Sequence, residues 1–186
     1  MDPANVRLGP GTLYVAPLGS TEPTDLSGDW DNAWVGVGYT DAGSTISFNA
    51  SFEDVFVAEE LDPILTLQTE RRGEVSFAAA EITAQNLQLA LNGGTITTPA
   101  GLVVFEPPDV GDYTHVMIGW EADDGLERWI FRKMLSVGSA SLARQKAPNK
   151  ATIQITFRSV KPEVDEHGDP VPVFKFIQAE SYAVES

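Results

Sequence analysis

The stretch ILTLQTERRGEVSFAAA, residues 64–80, alternates apolar and polar side chains on both sides of a short basic interruption that ends in glycine. Alternation with period two places successive side chains on opposite faces of a strand, so the fold depends on whether the chain turns at Arg71-Arg72-Gly73. Cross-strand partners in a hairpin share a face, which lets residue type test the register. A two-residue loop sets Gln68 against Val75, a mismatch. A three-residue loop of Arg71, Arg72 and Gly73 pairs Leu65 with Ala79, Leu67 with Phe77, Thr69 with Val75, Gln68 with Ser76 and Glu70 with Glu74, and gives Gly73 the left-handed position of such loops. The stretch therefore reads as a hairpin from Ile64 to Ala80. One face is apolar, and the other, bearing Thr66, Gln68, Glu70, Glu74 and Ser76, looks toward water.

Outward from this hairpin the period-two pattern continues. Strands are expected in GTLYVAPLG (11–19), AWVGVGYT (33–40), STISFNASF (44–52), THVMIGWE (114–121), RWIFRKM (128–134), ATIQITFRSV (151–160) and VPVFKFIQA (171–179), separated by Gly, Pro, Asn or Asp. WEADDGLERW (120–129) reads as a hairpin turn closed at Gly125, with Asp123 and Asp124 as turn formers. The one expected helix is TAQNLQLALNGG: Thr83 caps it, Ala84, Leu87 and Leu91 share a face, and Gly93 supplies a left-handed stop. These elements predict a mainly β protein, a β-sandwich or barrel-like fold with one short flanking α-helix. At 186 residues the chain fits one domain.

Twelve Lys and Arg against 27 Asp and Glu give a formal net charge of −15, which opposes general binding to duplex nucleic acid. No apolar run approaches the ~20 residues of a membrane span, and MDPANVRLGPG at the start lacks the basic and apolar regions of a secretory signal. The expectation is a soluble protein with no membrane partner, and the lack of cysteine fits assembly in a reducing cytoplasm. The absence of cysteine excludes disulfides, thiolate nucleophiles and zinc–thiolate sites.

No catalytic arrangement is legible, so no enzyme activity, cofactor or metal site is expected. His115 lies in a strand-like run and reads as structural. His167, in VDEHGDP, has Asp165, Glu166 and Asp169 as oxygen donors, yet their spacing departs from the calcium loop and a solvated turn is the better reading. Trp30, Trp34, Trp120 and Trp129 offer a sugar-stacking platform, but aromatics in β domains more often serve cores. The glycines of LNGGT and RLGPG do not link a strand to a helix as phosphate-cradling loops do.

FEDVFVAEEL, residues 52–61, is harder to place in an isolated domain. Phe52, Asp54, Phe56 and Ala58 form one alternate set and Glu53, Val55, Val57 and Glu59 the other, so either inner face leaves large apolar groups outside. A partner chain covering Phe52, Val55, Phe56, Val57 and Leu61 resolves this; an irregular strand buried on both sides is the alternative.

NVRLGPGTLYVAPLG near the start, followed by VGYTDAGSTISFNASFEDVFVAEELDPILTLQTERRGEVSFAAAEITAQNLQLALNGG, resembles the major tail (tail tube) proteins of long-tailed phages with non-contractile tails. The resemblance covers roughly residues 5 to 94. It implies a single tail tube domain over 1–186, with a core of about 11–160, an N-terminal arm and an extended C-terminal segment. It also implies hexameric rings stacked into a hollow tube through which DNA passes, in company with tape measure, tail tip and terminator proteins. The 64–80 hairpin then matches the inner-sheet position, making Thr66, Gln68, Glu70, Glu74 and Ser76 lumen-facing. A ring would carry a formal charge of roughly −90, which discourages passing DNA from adhering. Between rings, Glu53, Asp54, Glu59 and Glu60 offer a complement to Arg144, Lys146 and Lys150, the alternative being two unrelated solvated loops. Other readings are a carbohydrate-binding β-sandwich module, a capsid decoration or tail-terminator protein, and, last, a glycoside hydrolase.

Overall fold

The computed structural model describes residues 9–137, 141–144, 150–165 and 167–179. The chain does not turn at Arg71–Gly73. Leu65–Ala79 is one uninterrupted strand, β4, and its hairpin partner is the preceding strand β3, Thr40–Val55, with the connection at 56–64. Gly73 is extended backbone paired with Phe48, not a left-handed loop residue. The Phe48 ring lies over it at ordinary packing distance: an added Cβ would sit 3.4 Å from Phe48 Cε1 and from Ser159 Oγ. Gly73 N–H donates to Ser159 Oγ at 2.9 Å. Glycine is compatible with an extended strand as well as with a turn, a choice that residue type alone leaves open.

The remaining elements are β1 (Gly11–Pro17), β2 (Val35–Gly36), α1 (Ala84–Ala90), β5 (Thr95–Thr97), β6 (Val104–Glu106), β7 (Val116–Ala122), β8 (Glu127–Ser136), β9 (Ser141–Ala143), β10 (Thr152–Ser159) and β11 (Phe174–Gln178). The main sheet is antiparallel in the order β2-β1-β7-β8-β10-β4-β3, while β5 and β6 pair separately. Strand β8 is shared: its first half pairs with β11 and its last residues with β10. This fork lets the sheet fold over one core in which Leu13, Ile118 and Phe131 from one half meet Val75, Phe77, Ile155 and Phe157 from the other. Phe48 closes the open side, 4.9 Å from Phe174 and 5.8 Å from Trp129 between ring centroids. The β7–β8 hairpin turns at Gly125 (φ 69°), and Asp124 Oδ1 accepts from Leu126 N–H, as the turn chemistry predicts. Of AWVGVGYT only Val35–Gly36 and the final Thr40, which opens β3, are strand.

The helix begins as expected, Thr83 Oγ1 accepting from Asn86 N–H at 3.1 Å. The packed face differs. Asn86 and Ala90 are the buried positions, with Leu87 and Leu89 packed beside them, whereas Leu91 is exposed. Asn86 tolerates burial because its amide donates to the carbonyls of Glu81 (2.8 Å) and Val37 (3.3 Å). The left-handed stop begins one residue earlier than Gly93, at Asn92 (φ 60°), whose side chain exchanges two 2.7 Å hydrogen bonds with the Ser136 backbone.

Behind β7 and β8, the loop over residues 18–34 covers a second small core of Ala16, Trp34, Met117 and Ile130. Arg128, 4% exposed, holds the loop: Nη1 donates to the carbonyls of Asp25 (2.9 Å) and Gly28 (2.7 Å), and Nη2 to Glu121 Oε1 (2.8 Å). Its guanidinium lies 5.5 Å from the Trp30 ring centroid. Trp30 stacks on Tyr14 and lies against Gly119, and Trp34 Nε1 donates to Thr21 O. Trp120 and Trp129 pack against the main core. The tryptophans are thus absorbed by the fold and form no open stacking platform.

Candidate assembly surfaces

The β3–β4 ribbon outgrows the core that supports it. From Gly73 to Ala79 the inward positions of β4 are buried; from Leu65 through Thr69, and along β3 from Phe48 to Val55, every residue is exposed. Alternation and turn chemistry extend the pairing regardless, Val55 opposite Leu65 and Ile64 N–H bonded to Val55 O at 2.9 Å, so the arm is formed without being covered. Its apolar side chains are left in solvent: Leu61 is 99% exposed, Phe56 62% and Phe52 61%, with Val55, Val57, Ile64, Leu65 and Leu67 exposed as well. The five residues expected at a subunit contact thus sit together at the end of the arm. Glu53, Asp54, Glu59 and Glu60 lie among them, and Asp54 accepts a hydrogen bond from Thr66 Oγ1 at 2.7 Å.

The polar face of β4 spans three strands. Thr45, Ser76 and Thr156 lie in one cross-strand row, and Ser47, Glu74 and Arg158 in the next. Gln154 extends the face along β10. The wall candidates separate into two groups, because a register shift after Ser51 leaves Thr69 as an extra residue on β4. Glu70, Glu74 and Ser76 belong to the ladder on the core side of this bulge; Gln68 and Thr66 lie beyond it, opposite Phe52 and Asp54. An extra residue offsets the alternation, so the five do not form one continuous row.

The carboxylates of this face are also compensated. Glu70 forms an ion pair with Arg72, and Glu74 accepts from Arg158 Nε at 3.1 Å. Arg72, assigned to a loop in the hairpin reading, shares the parity of Glu70 and Glu74 and belongs to their face; period two carried through residues 65–79 would have found it. Arg132 is engaged elsewhere, with Glu22 and Pro172 O, and the charged hydrogen bond to Glu22 holds its pKa above the usual arginine value.

At the other end of the ribbon, Lys150 pairs with Asp41 at 2.5 Å and Arg144 is exposed, while Lys146 lies outside the described residues. The basic and acidic clusters are therefore at opposite ends of β3, ~50 Å apart at ~3.3 Å per residue. Near the basic end, α1 and the β1–β2 edge enclose an apolar cavity of about 550 Å³. His115 lines it, its pKa lowered by burial and by Lys133. In the 165–169 turn, Asp165 Oδ1 accepts from the backbone N–H of His167 and Asp169; Glu166 lies outside the described residues. Among the described residues no helix is long and apolar enough to cross a membrane.

Comparison with known proteins adds two findings. A family profile described as phage tail tube protein matches residues 1–161. A solved structure, the virion of native gene transfer agent (GTA) particle, contains a chain 11% identical to this one; the match covers 88% of this chain and 94% of that chain, with a TM-score of 0.33. No curated protein matches the sequence.

Proposed function

The chain belongs to the phage tail tube protein family, and from that premise we propose that it assembles into hexameric rings, which stack into the hollow tube of a phage tail and conduct DNA at infection. The observation that carries this reading is the β3–β4 arm, whose apolar end the chain's own core leaves uncovered. Exposed apolar surface of this extent marks an interaction site. Phe52, Val55, Phe56, Val57 and Leu61 are proposed to be covered by neighbouring subunits. Among the described residues no strand pairs with the long outer edge of β3, and a neighbour's strand would satisfy its backbone groups.

The polar face of β3, β4 and β10 is proposed to line the lumen, with Glu70, Glu74 and Ser76 at its centre and Gln68 and Thr66 toward the arm. Small hydroxyls and amides offer passing DNA no hydrophobic hold, and the Arg72–Glu70 and Arg158–Glu74 pairs keep two arginines from acting as free phosphate ligands. Local pairing matters more than the charge of the whole ring, because screening over a Debye length of ~8 Å confines repulsion to wall groups. Stacking sets Glu53, Asp54, Glu59 and Glu60 against Arg144, Lys146 and Lys150, each exposed pair contributing less than about 1 kcal/mol. Tape measure, tail tip and terminator proteins complete the proposed partners, and the assembled virion is the proposed location.

Negative-stain electron microscopy of the concentrated protein, with light scattering on the same sample, tests the assembly. Hollow tubes with six-fold end views are expected; a strictly monomeric sample under all assembly conditions would count against it. Glu70→Lys with Glu74→Lys frees the wall arginines and adds cations, so tubes should form while DNA ejection slows. Unchanged ejection kinetics would remove this face from the lumen.

A further inference from the structure

The cavity beside α1 is lined by Val15, Leu18, Val35, Leu89 and Val116, and no Asp, Glu, Lys or Arg is among its lining residues. Its volume of about 550 Å³ lies within the ~300–1,000 Å³ range of sites that engulf a small ligand. The chain also carries an apolar segment of matching character, Phe56, Val57, Leu61 and Ile64 at the 56–64 turn. These two uncovered features lie at opposite ends of β3. Val37, in the cavity wall, stands just before the strand begins, and the turn follows its last residue, ~50 Å away. Because β3 is bonded to β4 along its length, the turn cannot fold back into its own cavity.

We propose that the 56–64 turn of one copy docks in the cavity between α1 and the β1–β2 edge of another copy of this chain. The proposal rests on the assembly reading above and adds the receiving surface to it. Four apolar side chains and the walls they would contact make a small interface, below the ~1,000 Å² of a contact that stands alone, so the docking adds to the other contacts of an assembled ring instead of replacing them. Charge sets the depth of insertion. A carboxylate inside a charge-free apolar cavity is costly, so Glu59, Glu60 and Asp62 stay at the rim. There Gln85 is exposed, His115 has Lys133 nearby, and the Asp41–Lys150 pair stands only a few residues from Val37. The rim is of mixed charge, with Lys150 paired to Asp41, Lys133 to Glu163 and Glu81 beside Gly38, so the apolar match carries the docking and the turn's carboxylates share cations that are already paired. Turn and cavity are different surfaces of one chain, so the contact is heterologous and propagates into rings or filaments instead of closing as a two-fold pair.

The chain has no cysteine, which makes the test direct. Asp62→Cys and Gln85→Cys alter exposed positions at the turn and the cavity rim, and far-UV circular dichroism confirms that the fold persists. After mild oxidation of an assembled sample, the double variant should give a ladder of covalent multimers on a non-reducing gel, while each single variant gives dimers at most. Tubes of the double variant with no ladder, or an intramolecular disulfide in a monomer, would overturn the docking and leave the tube reading intact. Failure of the unsubstituted protein to form rings or tubes would remove both.

Discussion

Replacing Leu61 with serine separates folding from assembly. The side chain is 99% exposed in the subunit, so its loss removes no intramolecular packing, and stability should move by no more than ~0.5 kcal/mol, as at other surface sites. In an assembly that buries the residue, the whole leucine side chain is withdrawn from water, which contributes ~1.5–3 kcal/mol at each contact. At 1.4 kcal/mol per tenfold, the association constant for adding a subunit falls ~10- to 150-fold, and the critical concentration for tube growth rises by the same factor. Sedimentation of assembled material across a concentration series, with electron microscopy of the pellets, reads this directly; thermal unfolding of the dilute protein confirms that the subunit is intact. A critical concentration within a factor of two of the unsubstituted protein would refute the argument, because it would show that Leu61 remains in solvent after assembly.

Gly73→Ala distinguishes strand from turn at the centre of β4. In an extended strand, with Phe48 Cε1 and Ser159 Oγ each 3.4 Å from the new Cβ, the change should be neutral to stabilising by ~0.4–1 kcal/mol in urea denaturation; a loss above about 1 kcal/mol would indicate a strained position. Arg128→Met breaks a buried ion pair and leaves two carbonyls without their donor. A loss of about 3 kcal/mol is expected, the low end for such pairs because Glu121 keeps partial solvent access and its bond from Trp30, and calorimetry should show Tm lowered by ~6–12 °C. An unchanged Tm would mean that the 18–34 loop is held without it. For His115, whose folded pKa is depressed, the unfolded chain takes up the proton first. Its contribution to stability is complete above the ordinary histidine value of ~6.5 and is lost as pH falls below it. His115→Gln should therefore flatten the fall in Tm between about pH 7 and pH 5; an unaltered slope would assign that fall to other groups.

Much of the fold is written in local alternation, and the rest is not. Strands β1, β7, β8, β10 and β11 follow from period two and the turn residues between them, although β1, β7 and β8 send apolar residues to a core on each face. The 64–80 stretch misleads because Gly73 is compatible with both a left-handed turn and an extended strand, and its ladder partner, Phe48, lies 25 residues earlier in the chain. The bulge at Thr69 has no signature of its own, so Thr66 and Gln68 cannot be separated from Glu70 by composition. The unplaceable character of FEDVFVAEEL was legible, since no assignment of faces buries it; what was hidden is that it forms the end of a ribbon projecting past the core. The buried role of Arg128 depends on where the 18–34 loop lies, which no local pattern states.

The pairing of β1 with β7 has a consequence for biosynthesis. Gly11 pairs with Ala122, so the first strand must wait for about a hundred residues to be made, roughly 5–20 seconds at ordinary translation rates. The β3–β4 ribbon is different: its partners are adjacent in sequence, so it can zip within microseconds of leaving the ribosome. A nascent chain therefore displays its exposed apolar turn long before it has a core. Neighbouring chains on one message would be at risk of joining prematurely, and Glu53, Asp54, Glu59 and Glu60 sit where gatekeeper charges are needed to hold them apart.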